Sequence, residues 1–296
     1  MLFNIALDFV MRRTTTAVQG GIQWFGGRLV DLDFADDVAV LAEDSVALQR
    51  TTECLGDEAS KIGLRLSSEK SKVMHVGNGT FGGDVYVGTG RLDVVNTFAY
   101  LGSTITTDGD VTVEVRSRIA KATAVFQRLR PLWTSSSISI DVKLRLYSSI
   151  VVPTAIYASE TWKMSTSNVR RLNAFHCKCL RRIMKIRYAD RITNVELLRR
   201  CRSKDLAEIV AERRLRFAGH ILRMSMCRLP RLAMEWIPPN GKRPRGRPRN
   251  TWRRTFLNDL NMMNTSRQEC VEVAQDRQRW REFVALCAQR HGRNQV

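Results

Sequence analysis

Apolar and polar positions follow two different rhythms along this chain. Up to about residue 110 the apolar runs are short and broken, and beyond it they recur every three or four residues. Residues 1–13 read as the last turns of a helix. Strands follow near 28–34 and 38–42. The next segment is helical, with Leu48, Leu55, Ala59 and Ile62 on one face and Ser45 placed to cap it. Short strands come near 72–76, 84–87 and 91–95, punctuated by glycines from Gly77 to Gly90. Strand–strand–helix–strand order predicts a small antiparallel sheet with helices on one face.

Past Asp110 the spacing is helical throughout. Val115, Ile119, Ala122, Phe126 and Leu129 form one stripe. Val142, Leu146, Ile150 and Val151 form a second, and Leu172, Phe175, Cys179, Leu180 and Ile183 a third. Ser203 stands where it would cap a helix running through Ile209 and Phe217 to Ile221. Ser266-Arg267-Gln268-Glu269 is a capping box, opening a helix with Val273, Trp280, Phe283, Val284 and Cys287 inward. The fold class is therefore α+β: a partial sheet-and-helix unit followed by an all-α region. No internal repeat is evident.

Charge changes the picture. The chain of 296 residues carries +19, and it carries it unevenly. Up to residue 110 there are 9 Lys and Arg against 15 Asp and Glu, a net of −6; from 111 onward there are 39 against 14, a net of +25. Such asymmetry, heavy in arginine, points to a polyanion partner, and nucleic acid is the commonest. A solvated basic helical surface is the plainer alternative. No apolar run is long enough to span a membrane; the longest, at 150–157, is broken by Pro153 and Thr154. The apolar start has Asp8 inside it and Arg12 and Arg13 after it, the reverse of a signal peptide. Seven cysteines at irregular spacing do not form a disulfide framework, so the expected compartment is reducing, nuclear or cytoplasmic.

Three places hold candidate chemistry. Asp36 and Asp37 sit side by side between two apolar runs, where a hairpin turn falls. The apolar flanks predict burial on at least one face. Two carboxylates at such a tip repel one another unless a hard cation such as Mg2+ sits there; an acidic turn that only shapes the backbone is the alternative. Residues 238–250 combine prolines and glycines with Lys242, Arg243, Arg245, Arg247 and Arg249, and Arg253 and Arg254 follow Asn250. That composition predicts a disordered loop. Its core, Arg245-Gly246-Arg247-Pro248, resembles an AT-hook, whose arginines enter a narrow A·T minor groove; a flexible linker and a nuclear import signal are the other readings. Finally, His176, Cys177, Cys179 and Cys201 invite zinc, but His176 and Cys177 diverge by about 100° on a helix. With no Cys-x2-Cys pair anywhere, packing cysteines are expected. His220 reads as a packing or surface histidine.

Leu32-Asp33-Phe34-Ala35-Asp36-Asp37 resembles the F/Y-A-D-D signature of reverse transcriptases, above all those of non-LTR (LINE-type) retrotransposons. Leu2-Phe3-Asn4 resembles the tail of the family's S-P-x-L-F-N-x-x-L motif. Gly63 to Met74 resembles the next palm motif, and Phe98-Ala99-Tyr100-Leu101-Gly102 the F-x-Y-L-G turn before the thumb. The likeness continues through Tyr157–Trp162 and Arg214–His220, so it covers the whole chain.

The resemblance implies a partial palm over 1–110, a thumb-like region over 111–188 and a C-terminal extension over 189–296. It implies catalytic Asp36 and Asp37 holding Mg2+, and Lys70 near the nucleotide phosphates. It implies RNA template or DNA as partner and no small-molecule cofactor. The family's third carboxylate comes from a strand preceding the Leu-Phe-Asn segment, where this chain opens. The expectation is a truncated, catalytically defective RNA-directed DNA polymerase; the alternative is a nucleic-acid-binding protein that works through its basic half.

Overall fold

The computed structural model describes residues 2–18, 20–24, 27–77, 82–236 and 251–293. It divides into two compact units, Met1–Asp110 and Val111–Val296.

In the first unit, helix α1 (Leu2–Ala17) leads into two hairpins, β1–β2 (Ile22–Trp24 with Gly27–Leu29) and β3–β4 (Asp31–Phe34 with Asp37–Val40). Helix α2 (Ser45–Ser60) follows. Leu7, Val10 and Met11 of α1 meet Leu55 and Ala59 of α2, with Val38 and Val40 against them. Arg13 pairs with Glu58 at 2.7 Å beside that contact. The cap of α2 is Asp44, one residue before the expected Ser45, and its carboxylate accepts from the Ala47 N–H at 2.7 Å. An acid at this position also faces the positive end of the helix dipole, which a hydroxyl answers less well. Ile62 lies past the helix end and is exposed.

The strands that follow are β5 (Lys72–Val73), β6 (Tyr86–Val87), β7 (Gly90–Arg91), β8 (Asp93–Val94), β9 (Thr97–Tyr100) and β10 (Ser103–Thr106). The single antiparallel sheet expected here is not what forms. Among the described residues there are five separate two-stranded ladders, and one, β5 with β8, is parallel. The cause is length. Strands of two to four residues bury too few side chains to share one face; among the described residues of this stretch the buried apolar side chains are Val73, Val85 and Leu92, with Leu48 against them. The β9–β10 hairpin turns at Leu101 and Gly102, with φ of 50° and 74°, the sign that a tight hairpin turn demands.

The second unit is helical. Helix α3 (Thr112–Arg128) buries Val115, Ala122 and Phe126. Helix α4 (Arg130–Thr134) sets Trp133 against Phe126, its indole N–H donating to the Phe126 carbonyl at 2.8 Å. Helix α5 (Ile140–Leu146) runs into a π-helical turn (Tyr147–Val151) and helix α6 (Val152–Ala155). Half of the expected stripe is corrected: Val151 is buried and Leu146 packs against the core, but Val142 and Ile150 are exposed, and Lys143 and Tyr147 are buried. The Lys143 ammonium goes inward to donate to the Ser135 carbonyl at 2.5 Å, and the wider π turn shifts the helical phase.

Helix α7 (Thr166–Ile183) buries its whole predicted stripe. After α8 (Asn194–Arg200) comes α9 (Leu206–Leu222), capped by Asp205 through the Glu208 N–H at 2.7 Å; the expected cap, Ser203, is turned to His176. Helices α10 (Leu229–Glu235), α11 (Trp252–Met262), α12 (Arg267–Gln275) and α13 (Arg277–Arg293) complete the unit. The Ser266–Glu269 capping box forms. The one helix expected beyond it is two: the chain breaks at Asp276, whose carboxylate accepts from the Gln278 N–H at 2.7 Å and starts α13 afresh. No helix among the described residues is long and apolar enough to cross a membrane.

Among the described residues two apolar cores fill this unit, and α9 serves both. Leu206 and Val210 face the first; Leu215, Ala218, Ile221 and Leu222 face the second. Gly219 lets α13 come close: a Cβ there would lie 2.0 Å from Trp280 Nε1. The indole N–H donates to the Leu215 carbonyl at 3.1 Å. Between α9 and α11, Arg214 and Asp259 form a two-pronged ion pair at 2.7 and 2.9 Å, 2% and 1% exposed.

That pair yields a test. Asp259→Ala leaves a buried guanidinium without its partner and should cost about 3–5 kcal/mol. Arg214→Met combined with Asp259→Leu should recover most of that loss. Urea unfolding of the three proteins measures it; an Asp259→Ala midpoint equal to wild type would refute the role given to the pair.

Candidate functional site

The β3–β4 hairpin carries the candidate acids. Val38 and Val40 face the α1–α2 core, on the same side as their cross-strand partners Asp33 and Asp31. The turn is made by Ala35, at φ 55°, and Asp36. Asp37 opens β4 opposite Phe34. Both aspartates are exposed at the tip. The other face is open as well: Leu32 and Phe34 are 44% and 65% exposed. The hairpin expected to be buried on one face is half-buried on the valine side and open on the other.

Behind the tip stands Tyr100 of β9. Its hydroxyl donates to the Leu32 carbonyl at 2.9 Å. Desolvation, then the charges of Asp33 and Asp37, raise the phenol above its ordinary range. Asp33 is more strongly perturbed. Partial withdrawal from water, a hydrogen bond with Asp31, and the charges of Asp31 and of Asp8 on α1 push its carboxyl up to about 7. The aspartates around this hairpin thus form two sets, Asp36 and Asp37 at the tip and Asp8, Asp31 and Asp33 on the α1 side. The alternation of the strand separates them, since Asp33 shares a face with Val38 and Asp37 shares one with Phe34. Sequence reasoning missed the second set. The signal for it was present in the period-two spacing of Asp31 and Asp33.

The remaining candidates lie apart. Lys70 is exposed on the turn at 68–70, and no ion pair joins it to Asp36 or Asp37 among the described residues. Lys242, Arg243, Arg245, Arg247 and Arg249 lie outside the described residues. Arg253 and Arg254 begin α11, which is capped by Thr251 and not by Asn250; the Arg254 N–H donates to Thr251 Oγ1 at 3.1 Å. The Arg254 side chain is exposed, whereas Arg253 reaches back to the Trp236 carbonyl at 3.5 Å.

His176, Cys177, Cys179 and Cys201 are buried. His176 Nε2–H donates to the Lys204 carbonyl at 3.1 Å, so Nδ1 accepts from the Tyr147 hydroxyl at 2.8 Å. Burial pushes this imidazole down to about 4 and the Cys179 thiol up to about 12. A neutral ring with both nitrogens engaged, beside thiols that stay protonated, is a packing arrangement. Among the described residues no three His, Cys, Asp or Glu side chains are grouped to hold a metal ion.

The acid set on the α1 side makes a pH prediction. Asp33 keeps its proton in the folded state where the unfolded chain has lost it. Its contribution to stability is therefore present below the ordinary aspartate range and lost as pH rises through about 7. Solvent screening of this exposed group reduces the effect to about 1 kcal/mol. Asp33→Asn should be the more stable protein at pH 8, and the gap should close toward pH 4. Urea midpoints and a carboxyl NMR titration read this directly; an Asp33 midpoint near 4 would refute it.

No protein-family model matches this chain. Among known proteins it is similar to an uncharacterized transposon-derived protein of Caenorhabditis elegans. The two are 27% identical over 266 residues, a stretch that covers 86% of this chain and 95% of that one.

Proposed function

We propose that this chain is a retrotransposon reverse-transcriptase segment: part of a palm over 1–110, a thumb-like region over 111–188 and a basic helical extension over 189–296. The observation that carries the reading is the β3–β4 hairpin. It presents two adjacent, exposed carboxylates, Asp36 and Asp37, at the place where the sequence resembles F/Y-A-D-D. The likeness to a transposon-derived protein supports the same ancestry.

The donor set suits Mg2+ in kind, because carboxylate oxygens are the hard ligands it takes and it keeps several waters besides. Bound there, the ion would neutralise charge on a phosphoryl group and orient it. Asp36 and Asp37 would hold it, and Tyr100 keeps the hairpin in place through the Leu32 carbonyl. Lys70, exposed on its turn, would take a phosphate oxygen. Phosphoryl transfer rests almost wholly on positioning and charge stabilisation, and two carboxylates are fewer than the family's site needs. The chain by itself should therefore not extend a primer. Purified protein with template, primer, nucleotides and Mg2+ or Mn2+ should incorporate no more than its Asp36→Ala/Asp37→Ala counterpart. Extension that disappears in the double variant would overturn this.

The net charge of +25 from residue 111 onward favours nucleic-acid binding by this region. Binding by about five arginines should give a log–log salt slope of about −4 to −5 on duplex DNA. Arg245→Ala with Arg247→Ala should reduce the slope by about two, and should abolish any preference for A·T-rich duplex if the loop enters the minor groove. A double variant that keeps both affinity and slope would leave the loop as a linker or import signal.

A further inference from the structure

Helices α3 and α7 of the second unit leave a groove of about 490 Å³ between them. Its floor is apolar, made by Ile119 and Ala120 of α3 with Ala174 and Phe175 of α7. Ala120, Thr123 and Ala174 are exposed along it and are small. Small side chains let another backbone approach, as helix–helix contacts require. Arg116 of α3 and Arg171, Lys178 and Arg182 of α7 also line it. At Phe126 and Arg182 it meets a second recess of about 240 Å³, where Arg130 and Lys185 continue the cationic lining. No carboxylate lines either recess. Arg116, Lys178 and Arg182 take part in no ion pair among the described residues. From Arg116 to Gln127 the groove follows about three turns of helix.

An apolar trough with uncompensated cations asks for a partner that is apolar on one side and anionic beside it. We infer that this groove receives an amphipathic helix of a partner protein, with apolar residues at i, i+3, i+4 and i+7 and acidic residues along both flanks. Nucleic acid meets these features less well. Phe126 and Phe175 are 3% and 8% exposed, so no open ring face is offered on which a base could stack. A duplex backbone brings phosphates for the arginines, but no apolar ridge for Ile119, Ala120 and Ala174.

The test uses the full chain and a synthetic acidic peptide of about fourteen residues, leucines at the four anchor spacings and glutamates beside them. Fluorescence anisotropy should show saturable binding. Ala174→Trp, which fills the groove from an exposed position, should weaken binding about tenfold or more. Lys178→Glu with Arg182→Glu, both exposed, should do the same and serves if the tryptophan variant misfolds. A peptide of the same composition with its leucines scattered should lose the binding. The proposal is overturned if the scattered peptide binds as tightly or if both variants bind as wild type does. It is also overturned if no binding is seen, or if duplex DNA or RNA displaces the peptide and its own affinity falls in the same variants.

Discussion

A charge that cannot reach water organises the helical unit. The Arg214 guanidinium is almost wholly buried, and only the fork of the Asp259 carboxylate offsets the cost of taking it out of solvent. That geometry admits little play. It fixes where α11 crosses α9, and α9 in turn supplies side chains to both cores. The same device recurs on α3, where buried Glu114 and Arg118 pair at 2.6 Å and the Arg118 guanidinium lies 4.4 Å from the Tyr157 ring centre. A strongly basic chain has put part of its charge to directional use inside. Apolar packing alone would tolerate sliding; paired charges do not.

The helical half was legible because burial there follows the helical repeat. The stripes of α3 and α7 could be read from residue types, since nothing in those segments competes with the period. Legibility failed where a side chain broke its own category. Lys143 goes inside to a carbonyl and takes the inward place next to Val142, which is left in solvent, and Ile150 is exposed within the π turn that follows. Caps went astray for a related reason. Asp44 and Asp205 stand within two residues of the serines that looked equally fit, and a carboxylate wins by charge as well as by hydrogen bonding. The ladders of the first unit were the least legible. Strands of two to four residues carry too short an alternation to say which strand pairs with which, and nothing in the spacing announced the parallel contact of β5 with β8.

For the site, the acidic tip was readable and its surroundings were not. Adjacency in sequence placed Asp36 and Asp37 at a turn, and the register of β3 with β4 leaves both in solvent. The set on the other side assembles across two elements, Asp8 from a helix and Asp31 and Asp33 from a strand, and only folding brings helix and strand together. Tyr100 comes from still further along the chain. The hydrogen bond and charges that Asp31 and Asp8 bring to Asp33, and the charges that Asp33 and Asp37 bring to Tyr100, are products of the fold and not of adjacency in sequence.

The closeness of α9 and α13 has a consequence for descent. Where a hydrogen at position 219 is all that separates backbone from indole, glycine and tryptophan behave as one inherited character written at two places. A lineage that gains a methyl group at 219 must shrink the ring at 280 or part the helices, and losing the ring first removes any hold on the glycine. Among descendants that keep this helix pair, the ring at 280 should be lost no later than a side chain appears at 219, so the history of the fold can be followed through the two positions even where the rest of the surface has drifted beyond recognition.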